Sequence, residues 1–281
     1  MNASATNAPA DADAPVAMQV AAVQMVSTPD VGENLNAAAE LIARAADDGA
    51  ELVALPEYFC FMGRADHEKV AIREHDGDGP IQDFLSGQAL RHRVYLVGGT
   101  LPLVCPDPDR VFNSSMVYGP DGTRIARYDK IHLFNFRRGD ESYDEALSIR
   151  PGGEPVTFEA PLGRVGLSTC YDLRFPELYR ALGDVHLILV PAAFTYTTGK
   201  AHWETLLRAR AIENQCYVLA PAQGGRHPNG RSTWGHAMLV DPWGEVLDVV
   251  PEGPGLAAGT VDPQRLAEVR AALPALRHRV M

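Results

Sequence analysis

The stretch Arg164–Arg180, RVGLSTCYDLRFPELYR, places an apolar run, a cysteine and the start of a helix next to one another. The run Arg164–Thr169 is typical of a buried strand, and proline at a first helical position predicts a helix from about Pro176. Cys170 therefore ends a strand, where layered α/β proteins gather their ligands. We expect this junction to expose the sulfur and to direct helix N–H groups at it, which favours the thiolate. A single cysteine is more often a packing residue, so its neighbours decide its role.

Short apolar runs alternate with amphipathic stretches on both sides of this segment. This alternation predicts an α/β protein, and Asp121-Gly122 is a hairpin signal that favours mixed sheets over a purely parallel one. The predicted strands are Met18–Met25, Glu51–Leu55, Val94–Thr100, Val111–Tyr118, Thr123–Tyr128, Arg164–Thr169, His186–Val190, Tyr217–Ala222, Gly235–Val240, Glu245–Val250 and Ala257–Val261. The predicted helices are Glu33–Asp47, Ile81–His92, Ala201–Gln215 and those from about Pro176 and Pro263.

The segment Phe134–Gly153 is rich in charge and has no clear hydrophobic period, so it is predicted to be a long surface loop. Long ordered loops in compact domains often carry function. Residues 1–15 are rich in Ala, Asn, Asp and Pro and are predicted to form a disordered leader. This leader has neither the basic nor the apolar region of a signal peptide. The rest is expected to be one domain over residues 16–265, followed by a C-terminal helix or tail over residues 266–281.

Composition excludes several classes of partner. The net charge is −11, and the 25 basic residues form no run, which argues against nucleic acid and against an anionic membrane surface. No apolar stretch approaches the roughly 18 residues of a membrane helix. Four separate cysteines without a CxxC pair indicate reduced thiols, and we expect a cytoplasmic protein. The sequence contains no HExxH, GxSxG, GxGxxG or GxxxxGK[ST] motif, so neither a metal nor an organic cofactor is expected.

Three predicted strands end in residues of different chemistry. Glu57 follows the strand in ELVALPE, Lys130 ends TRIARYDK and Cys170 ends RVGLSTC. A lysine near the thiol would lower its pKa and could hold an oxyanion. A glutamate could accept the thiol proton and return it to a leaving amine. The three residues together indicate a cysteine-dependent acyl transfer, with the attack made on a carbonyl carbon.

The stretches ALPEYF (Ala54–Phe59), RYDKIHLF (Arg127–Phe134) and STCYDLRFPELYR (Ser168–Arg180) resemble the glutamate, lysine and cysteine motifs of the nitrilase superfamily of carbon–nitrogen hydrolases. The resemblance implies a four-layer α-β-β-α sandwich with two mixed β-sheets. It also implies Glu57 as general base, Lys130 as stabiliser of the tetrahedral intermediate and Cys170 as nucleophile.

The same resemblance implies a second glutamate in the loop after the lysine. Glu145 matches its position best, with Glu141 and Asp144 as neighbouring acids. The intervening sequence NFRRGDESYDE departs from the usual loop of the family, which leaves the substrate contacts of this loop open. A solvated loop acid is the alternative interpretation of Glu145.

The stretches Phe194–His227 and Gly235–Val246 are similar to the subgroup that contains deaminated glutathione amidase and omega-amidase. This implies hydrolysis of a linear terminal amide of an α-keto acid to a carboxylate and ammonia, through a cysteine thioester, with deaminated glutathione as the leading substrate. The alternatives are α-ketoglutaramate as substrate, an N-carbamoyl amino acid or aliphatic amidase, and a binding protein that retains the fold without activity.

Four further residues are expected to bind the substrate. Arg174 could pair with a substrate carboxylate, or form a salt bridge with Glu177 instead. The backbone N–H of Tyr171 is a plausible oxyanion donor, and Phe194 with Thr195 should reach the same rim or serve only in loop packing. The resemblance also implies a homodimer or higher homo-oligomer, paired through the helix after Cys170, the helix Ala201–Gln215 or the C-terminal tail.

Overall fold

The computed structural model describes residues 14–139 and 141–280. Within these ranges the helices are α1 (Val31–Asp47), α2 (Pro80–His92), α3 (Pro176–Ala181), α4 (Tyr196–Asn214) and α5 (Pro263–Ala272). The strands are β1 (Met18–Met25), β2 (Leu52–Ala54), β3 (Tyr95–Val97), β4 (Leu101–Val104), β5 (Val111–Tyr118), β6 (Arg124–Asp129), β7 (Asn135–Arg138), β8 (Glu141–Asp144), β9 (Thr157–Ala160), β10 (Gly163–Leu167), β11 (Leu187–Leu189), β12 (Tyr217–Ala220), β13 (Ala222–Arg226), β14 (Ser232–Trp234), β15 (Ala237–Val240), β16 (Val246–Val250) and β17 (Gly255–Val261).

Two mixed sheets form the centre of the domain. The larger has the order β14-β13-β1-β2-β3-β5-β4, with β17 also paired to β1 and β6 to β5, and the smaller has the order β16-β15-β12-β11-β10-β9. Each sheet contains parallel neighbours, such as β1 with β2 and β10 with β11. Each also contains antiparallel neighbours, such as β1 with β17 and β9 with β10. The predicted α/β fold with two mixed sheets is therefore confirmed.

Strand β1 shows how the layers are stacked, because its side chains alternate between two cores. Val20 and Ala22 pack in the core that also contains the side chains of the smaller sheet. Ala21 and Val23 face the other way and pack with residues of α1 and α2. Helices α3 and α4 add side chains such as Trp203 to the first core and cover the smaller sheet. The layers are thus ordered helix, sheet, sheet, helix, as expected for the four-layer sandwich.

The segment predicted as a long loop contains regular structure, so that prediction is wrong in part. Strands β7 and β8 form a separate antiparallel pair in which Phe136 lies opposite Tyr143. The ring of Phe134 lies 5.9 Å from that of Phe136 and 5.7 Å from that of Tyr143. These aromatic contacts stabilise a hairpin whose other strand residues are charged or polar, which is why no hydrophobic period was visible in the sequence.

The strand predicted over 94–100 ends at Val97, and β4 begins after Gly98-Gly99. Gly99 has a φ of +49°, and a Cβ at this position would lie 2.0 Å from the carbonyl oxygen of Pro56. Only glycine allows so close an approach at such a φ value. The chain therefore turns against the residue that immediately precedes Glu57.

The strand predicted over 217–222 is divided between the two sheets. Strand β12 belongs to the smaller sheet and β13 to the larger, with Pro221 between them. Proline has no N–H to donate to a ladder, which favours a break at this position. The chain crosses between the sheets here, and the backbone N–H of Ala192 donates to the Pro221 carbonyl at 3.0 Å.

Helix α4 begins five residues earlier than predicted, with Thr195 as its N-cap. At the C-terminus, the expected boundary between domain and tail at residue 266 falls inside α5. Leu266 and Val269 are buried, and Arg270 Nη2 donates to the Val185 carbonyl at 2.7 Å, so α5 packs as part of the domain. Positions 1–13 of the predicted leader lie outside the described residues. Across residues 14–139 and 141–280, no helix is long and apolar enough to cross a membrane.

Candidate active site

Three side chains from the two large sheets and one from the hairpin meet at one place. Glu57 follows β2, Lys130 follows β6 and Cys170 follows β10, while Glu145 begins a short 3-10 turn directly after β8. β2 and β6 belong to the larger sheet, β10 to the smaller one and β8 to the separate hairpin. The fold thus brings together all four residues that the sequence singled out for chemistry.

Glu57 is held through both of its carboxylate oxygens and is 1% exposed. Its Oε1 accepts hydrogen bonds from Lys130 Nζ at 2.9 Å and from Asn113 Nδ2 at 3.0 Å. Its Oε2 accepts from the backbone N–H of Ala193 at 3.0 Å. Its own carbonyl oxygen accepts from Gln223 Nε2 at 3.1 Å. These bonds fix the orientation of the carboxylate in a site with little solvent.

Lys130 is fully buried between two carboxylates. Its Nζ lies 2.9 Å from Glu57 Oε1, 2.7 Å from Glu145 Oε2 and 3.0 Å from Glu145 Oε1. Its backbone N–H donates to the Asn113 carbonyl at 3.0 Å, which anchors the end of β6 to β5. The lysine therefore joins the two glutamates into one rigid unit, with its charge compensated by both.

Glu145 reaches Lys130 because the hairpin turns its backbone back towards the larger sheet. Its Oε1 accepts from the Tyr58 hydroxyl at 2.8 Å, and its Oε2 accepts from the backbone N–H of Phe134 at 2.7 Å. The solvated-loop interpretation of Glu145 is therefore wrong, since all these contacts are internal.

The two neighbouring acids have other partners. Glu141 Oε1 accepts from Thr197 Oγ1 at 3.2 Å, and Asp144 Oδ1 accepts from the backbone N–H of Ala146 at 3.1 Å. Asp144 thus caps the 3-10 turn that carries Glu145. Of the three acids considered from the sequence, Glu145 is the one in contact with Lys130.

Cys170 occupies a tight turn at the end of β10. Its φ is +50°, in the left-handed region that is uncommon for residues other than glycine. Its backbone N–H donates to the Pro191 carbonyl at 2.9 Å, which holds the turn against the strand end of β11. The residue is 7% exposed, so the sulfur is buried and not exposed as expected. Strain of this kind is common at functional sites.

Burial raises the pKa of the Cys170 thiol well above its ordinary value, and the charge of Glu57 raises it further against the opposing effect of Lys130. Burial also raises the pKa of Glu57, although Lys130 opposes this. The charges of Glu145 and Glu57 outweigh burial and raise the pKa of Lys130, and Lys130 in turn keeps the pKa of Glu145 low.

The expectation of a resting thiolate at Cys170 is therefore wrong. Two carboxylates and one ammonium give the site a net negative charge. Burial adds to the free-energy cost of forming one more anion, the Cys170 thiolate. Burial raises the pKa of both groups, so the thiol holds its proton in the resting site. A neutral thiol beside Glu57 can transfer its proton as the sulfur attacks, which is general base catalysis.

A cavity opens onto this cluster. Its wall includes Glu57, Glu145 and Cys170, and it continues past Tyr58 to Lys69 and Arg231. Lys130 is not part of the wall and lies behind the two glutamates. In residues 14–139 and 141–280, no group of three or more His, Cys, Asp or Glu side chains is placed to hold a metal ion.

The four predicted substrate-binding residues lie on a smaller adjoining cavity, which Cys170 also lines. The Arg174 guanidinium lies 5.2 Å from the ring centroid of Phe194 and 5.7 Å from that of Tyr171. Arg174 Nη1 lies 3.2 Å from His202 Nδ1, and no salt bridge with Glu177 occurs in the described structure. Among the residues that the structure describes, its guanidinium has no carboxylate partner.

Two of these residues also have structural roles. The Thr195 side chain caps α4 by accepting from the backbone N–H of Thr198. The Phe194 ring packs against Trp203 with centroids 4.8 Å apart. Both residues still line the smaller cavity, so packing and contact with a ligand are compatible.

Sequence reasoning missed several residues that hold the site. Asn113 and Tyr58 donate to the two glutamates. Asp172 joins the lysine and cysteine motifs, because its Oδ2 accepts from the Tyr128 hydroxyl at 2.6 Å and its Oδ1 from the backbone N–H of His132 at 3.0 Å. The one available signal was that Tyr58, Tyr128 and Asp172 lie inside the three quoted motifs.

A buried thiol, a carboxylate and a lysine meet on a four-layer sandwich, an arrangement suited to a hydrolase. The chain belongs to the carbon-nitrogen hydrolase family, which matches residues 19–271. It is an amidase of the nitrilase superfamily, which confirms the resemblance carried by the three motifs.

The similar proteins cover nearly all of the described chain. Deaminated glutathione amidase of Synechocystis is 45% identical over 266 residues, which are 92% of this chain and 97% of that protein. Omega-amidase of Xenopus tropicalis is 37% identical over 260 residues, which are 92% of this chain and 93% of that protein. Among solved structures, the C. elegans NitFhit protein matches with a TM-score of 0.87 and 38% identity, over 95% of this chain and 66% of that longer chain.

Proposed function

We propose that this amidase cleaves the amide of an α-keto acid through a thioester on Cys170, with deaminated glutathione as its substrate. The observation that carries the mechanism is the contact of Lys130 Nζ with both Glu57 and Glu145, at 2.9 and 2.7 Å, beside a cavity that Cys170 lines. The substrate is supported by the similarity to deaminated glutathione amidase of Synechocystis.

In the acylation step, Glu57 accepts the thiol proton while Cys170 Sγ forms a bond to the amide carbonyl carbon. The carbonyl oxygen becomes an oxyanion, stabilised by the charge of Lys130 and the backbone N–H of Tyr171. When the tetrahedral intermediate collapses, the C–N bond breaks and Glu57 returns the proton to the leaving nitrogen. Glu145 positions Lys130 and the substrate amide.

In the deacylation step, water attacks the thioester carbonyl and Glu57 takes its proton. The C–S bond then breaks, the keto acid leaves, and the proton passes from Glu57 to the sulfur. The same carboxylate thus serves both half-reactions, which suits its raised pKa. The enzyme returns to a neutral thiol beside an ionised Glu57.

The leaving group differs from the one expected. In deaminated glutathione the scissile amide joins the keto acyl group to a cysteinyl-glycine unit, so the product amine is a dipeptide. Ammonia is released only from a primary amide such as α-ketoglutaramate. That compound is the second candidate substrate, favoured by the similarity to omega-amidase of Xenopus tropicalis.

A substrate panel tests this proposal. Deaminated glutathione, α-ketoglutaramate, an N-carbamoyl amino acid and a simple aliphatic amide are compared by kcat/KM at the same pH. We expect the highest value for deaminated glutathione. A higher value for the carbamoyl compound or the aliphatic amide would contradict the proposed substrate class, and a higher value for α-ketoglutaramate would favour the second candidate.

We also propose a cytoplasmic homo-oligomer. All four cysteines are free and buried, which suits a reducing compartment. Tyr196 and Ile212 on α4 are 45% and 49% exposed, and apolar side chains of this kind are suited to a subunit interface. Light scattering at several concentrations tests the association, and a monomer at all of them would contradict it.

A further inference from the structure

A second lysine lines the cavity that contains Cys170. Only three of the 25 basic residues in the chain are lysines, namely Lys69, Lys130 and Lys200. Lys130 lies between the two glutamates, and Lys69 lies on the cavity wall. Lys200 is exposed on α4. In a chain whose cations are mostly arginines, two of the three compact ammonium groups thus belong to the catalytic region.

Lys69 is held in place by the residues next to Glu145. Its Nζ lies 3.3 Å from Ser148 Oγ and 5.3 Å from the ring centroid of Tyr58. Tyr58 in turn donates its hydroxyl to Glu145 Oε1 at 2.8 Å. The ammonium is therefore oriented by a hydroxyl and an aromatic face, both of which leave room for a further hydrogen-bond acceptor.

The neighbouring charged side chains form ion pairs with one another and not with Lys69. Lys69 lies on a short 3-10 helix, Asp66–Val70, and Asp66 at its start forms its ion pair with Arg231. The Arg231 guanidinium also lies 5.2 Å from the ring centroid of Tyr143. Within residues 14–139 and 141–280, no carboxylate lies within ion-pair distance of Lys69 Nζ. A partly buried ammonium without an ion pair, on the wall of a cavity, is suited to an anionic ligand.

We propose that Lys69 binds a carboxylate of the substrate and so determines specificity for keto acid amides. This inference rests on the proposed function, because both candidate substrates carry a carboxylate. Arg174 lies on the adjoining cavity, so each of the two cavities that Cys170 lines contains a cation. Deaminated glutathione has one carboxylate on the keto acyl half and one on the leaving dipeptide, which matches the number of these cations. Burial lowers the pKa of Lys69, and a bound carboxylate would oppose that shift.

The test compares Lys69→Met with wild-type enzyme on three amides. For deaminated glutathione we expect KM to rise about 10- to 100-fold, the effect of losing one charged hydrogen bond, with kcat within about threefold. A neutral aliphatic amide should keep its kcat/KM, because it has no carboxylate to lose. Lys69→Arg should recover part of the affinity, and Lys200→Met is the matched control on an exposed lysine. Circular dichroism checks that each variant is folded.

The third amide identifies which carboxylate is bound. α-Ketoglutaramate carries a carboxylate only on its acyl half, so a KM increase equal to that for deaminated glutathione assigns Lys69 to the acyl half. An increase for deaminated glutathione alone assigns it to the leaving dipeptide. An unchanged KM for both acids, or an equal loss on the neutral amide, would overturn the inference. Wild-type enzyme that fails on both acids would instead overturn the proposed function, and the inference with it.

Discussion

The ammonium of Lys130 donates a 2.9 Å hydrogen bond to Oε1 of Glu57, and neither side chain is more than 1% exposed. An ion pair so removed from water is stable only while both charges remain. Burial raises the pKa of Glu57, and Lys130 opposes that shift by favouring the ionised carboxylate. Each partner is needed for the charge state of the other.

Replacement of Lys130 by methionine should remove the charge compensation between Lys130 and the two glutamates. Lys130→Met leaves Glu57 and Glu145 as buried acids without a counter-charge, so we expect kcat to fall by at least about 10³-fold and stability by about 3–5 kcal/mol. Urea unfolding and steady-state kinetics measure the two effects. The exposed Lys200→Met serves as control. Retention of both activity and stability would show that the buried pair is dispensable.

The pH dependence of kcat/KM should report Glu57. The carboxylate must be ionised to accept the thiol proton, so activity falls as the pH falls through its raised pKa, above the ordinary glutamate value of 4.5. Asn113 Nδ2 donates to the ionised form, so Asn113→Ala should raise that pKa and move the acid limb to higher pH. We expect kcat near neutral pH to fall about 10-fold. An acid limb that stays in place or moves to lower pH would contradict this.

Cys170 should be a neutral thiol in the free enzyme near neutral pH, because burial and the charge of Glu57 raise its pKa. The thiolate absorbs in the ultraviolet more strongly than the thiol, so the difference spectrum between wild type and Cys170→Ala measures its ionisation. We expect no thiolate signal at pH 7, with one appearing only at alkaline pH. A full signal at pH 7 would mean that Lys130 outweighs burial and the carboxylates.

Asp172 should act as a positioning residue between the lysine and cysteine motifs. It accepts from the Tyr128 hydroxyl, from the backbone N–H of His132 and, at 2.8 Å, from that of Thr169 beside the nucleophile. Asp172→Ala leaves these buried donors unpaired, so we expect the free energy of unfolding to fall by about 2–4 kcal/mol. We also expect a lower kcat with KM little changed. Glu177→Gln, on an exposed acid of α3, is the matched control. Equal stability of the two variants would contradict this role.

The three strand ends were predictable from the sequence because each carries its residue in a short motif after an apolar run. Glu57, Lys130 and Cys170 could be named for this reason, and Glu145 could be placed from the resemblance. Asn113 and Lys69 could not, since they act from other elements and their contacts depend on tertiary packing. The scarcity of lysine was a visible signal for Lys69, but it does not show where the side chain lies.

The ionisation of the thiol shows a different limit of sequence reasoning. A lysine and a helix start near Cys170 favour a thiolate when considered alone. The structure adds burial and two carboxylates around one ammonium, which reverse the direction of the shift. The break of the predicted strand at Pro221 was likewise visible only as a proline, because its neighbours Ala220 and Ala222 carry no turn signal of their own.

Hydrolysis by Cys170→Ala tests the central claim most directly. The variant removes only the sulfur, so its circular dichroism spectrum should match wild type. We expect no hydrolysis of deaminated glutathione or α-ketoglutaramate above the uncatalysed rate, because no thioester can form. Turnover by the folded variant within about tenfold of wild type would contradict the account, since it would show that another group attacks the amide.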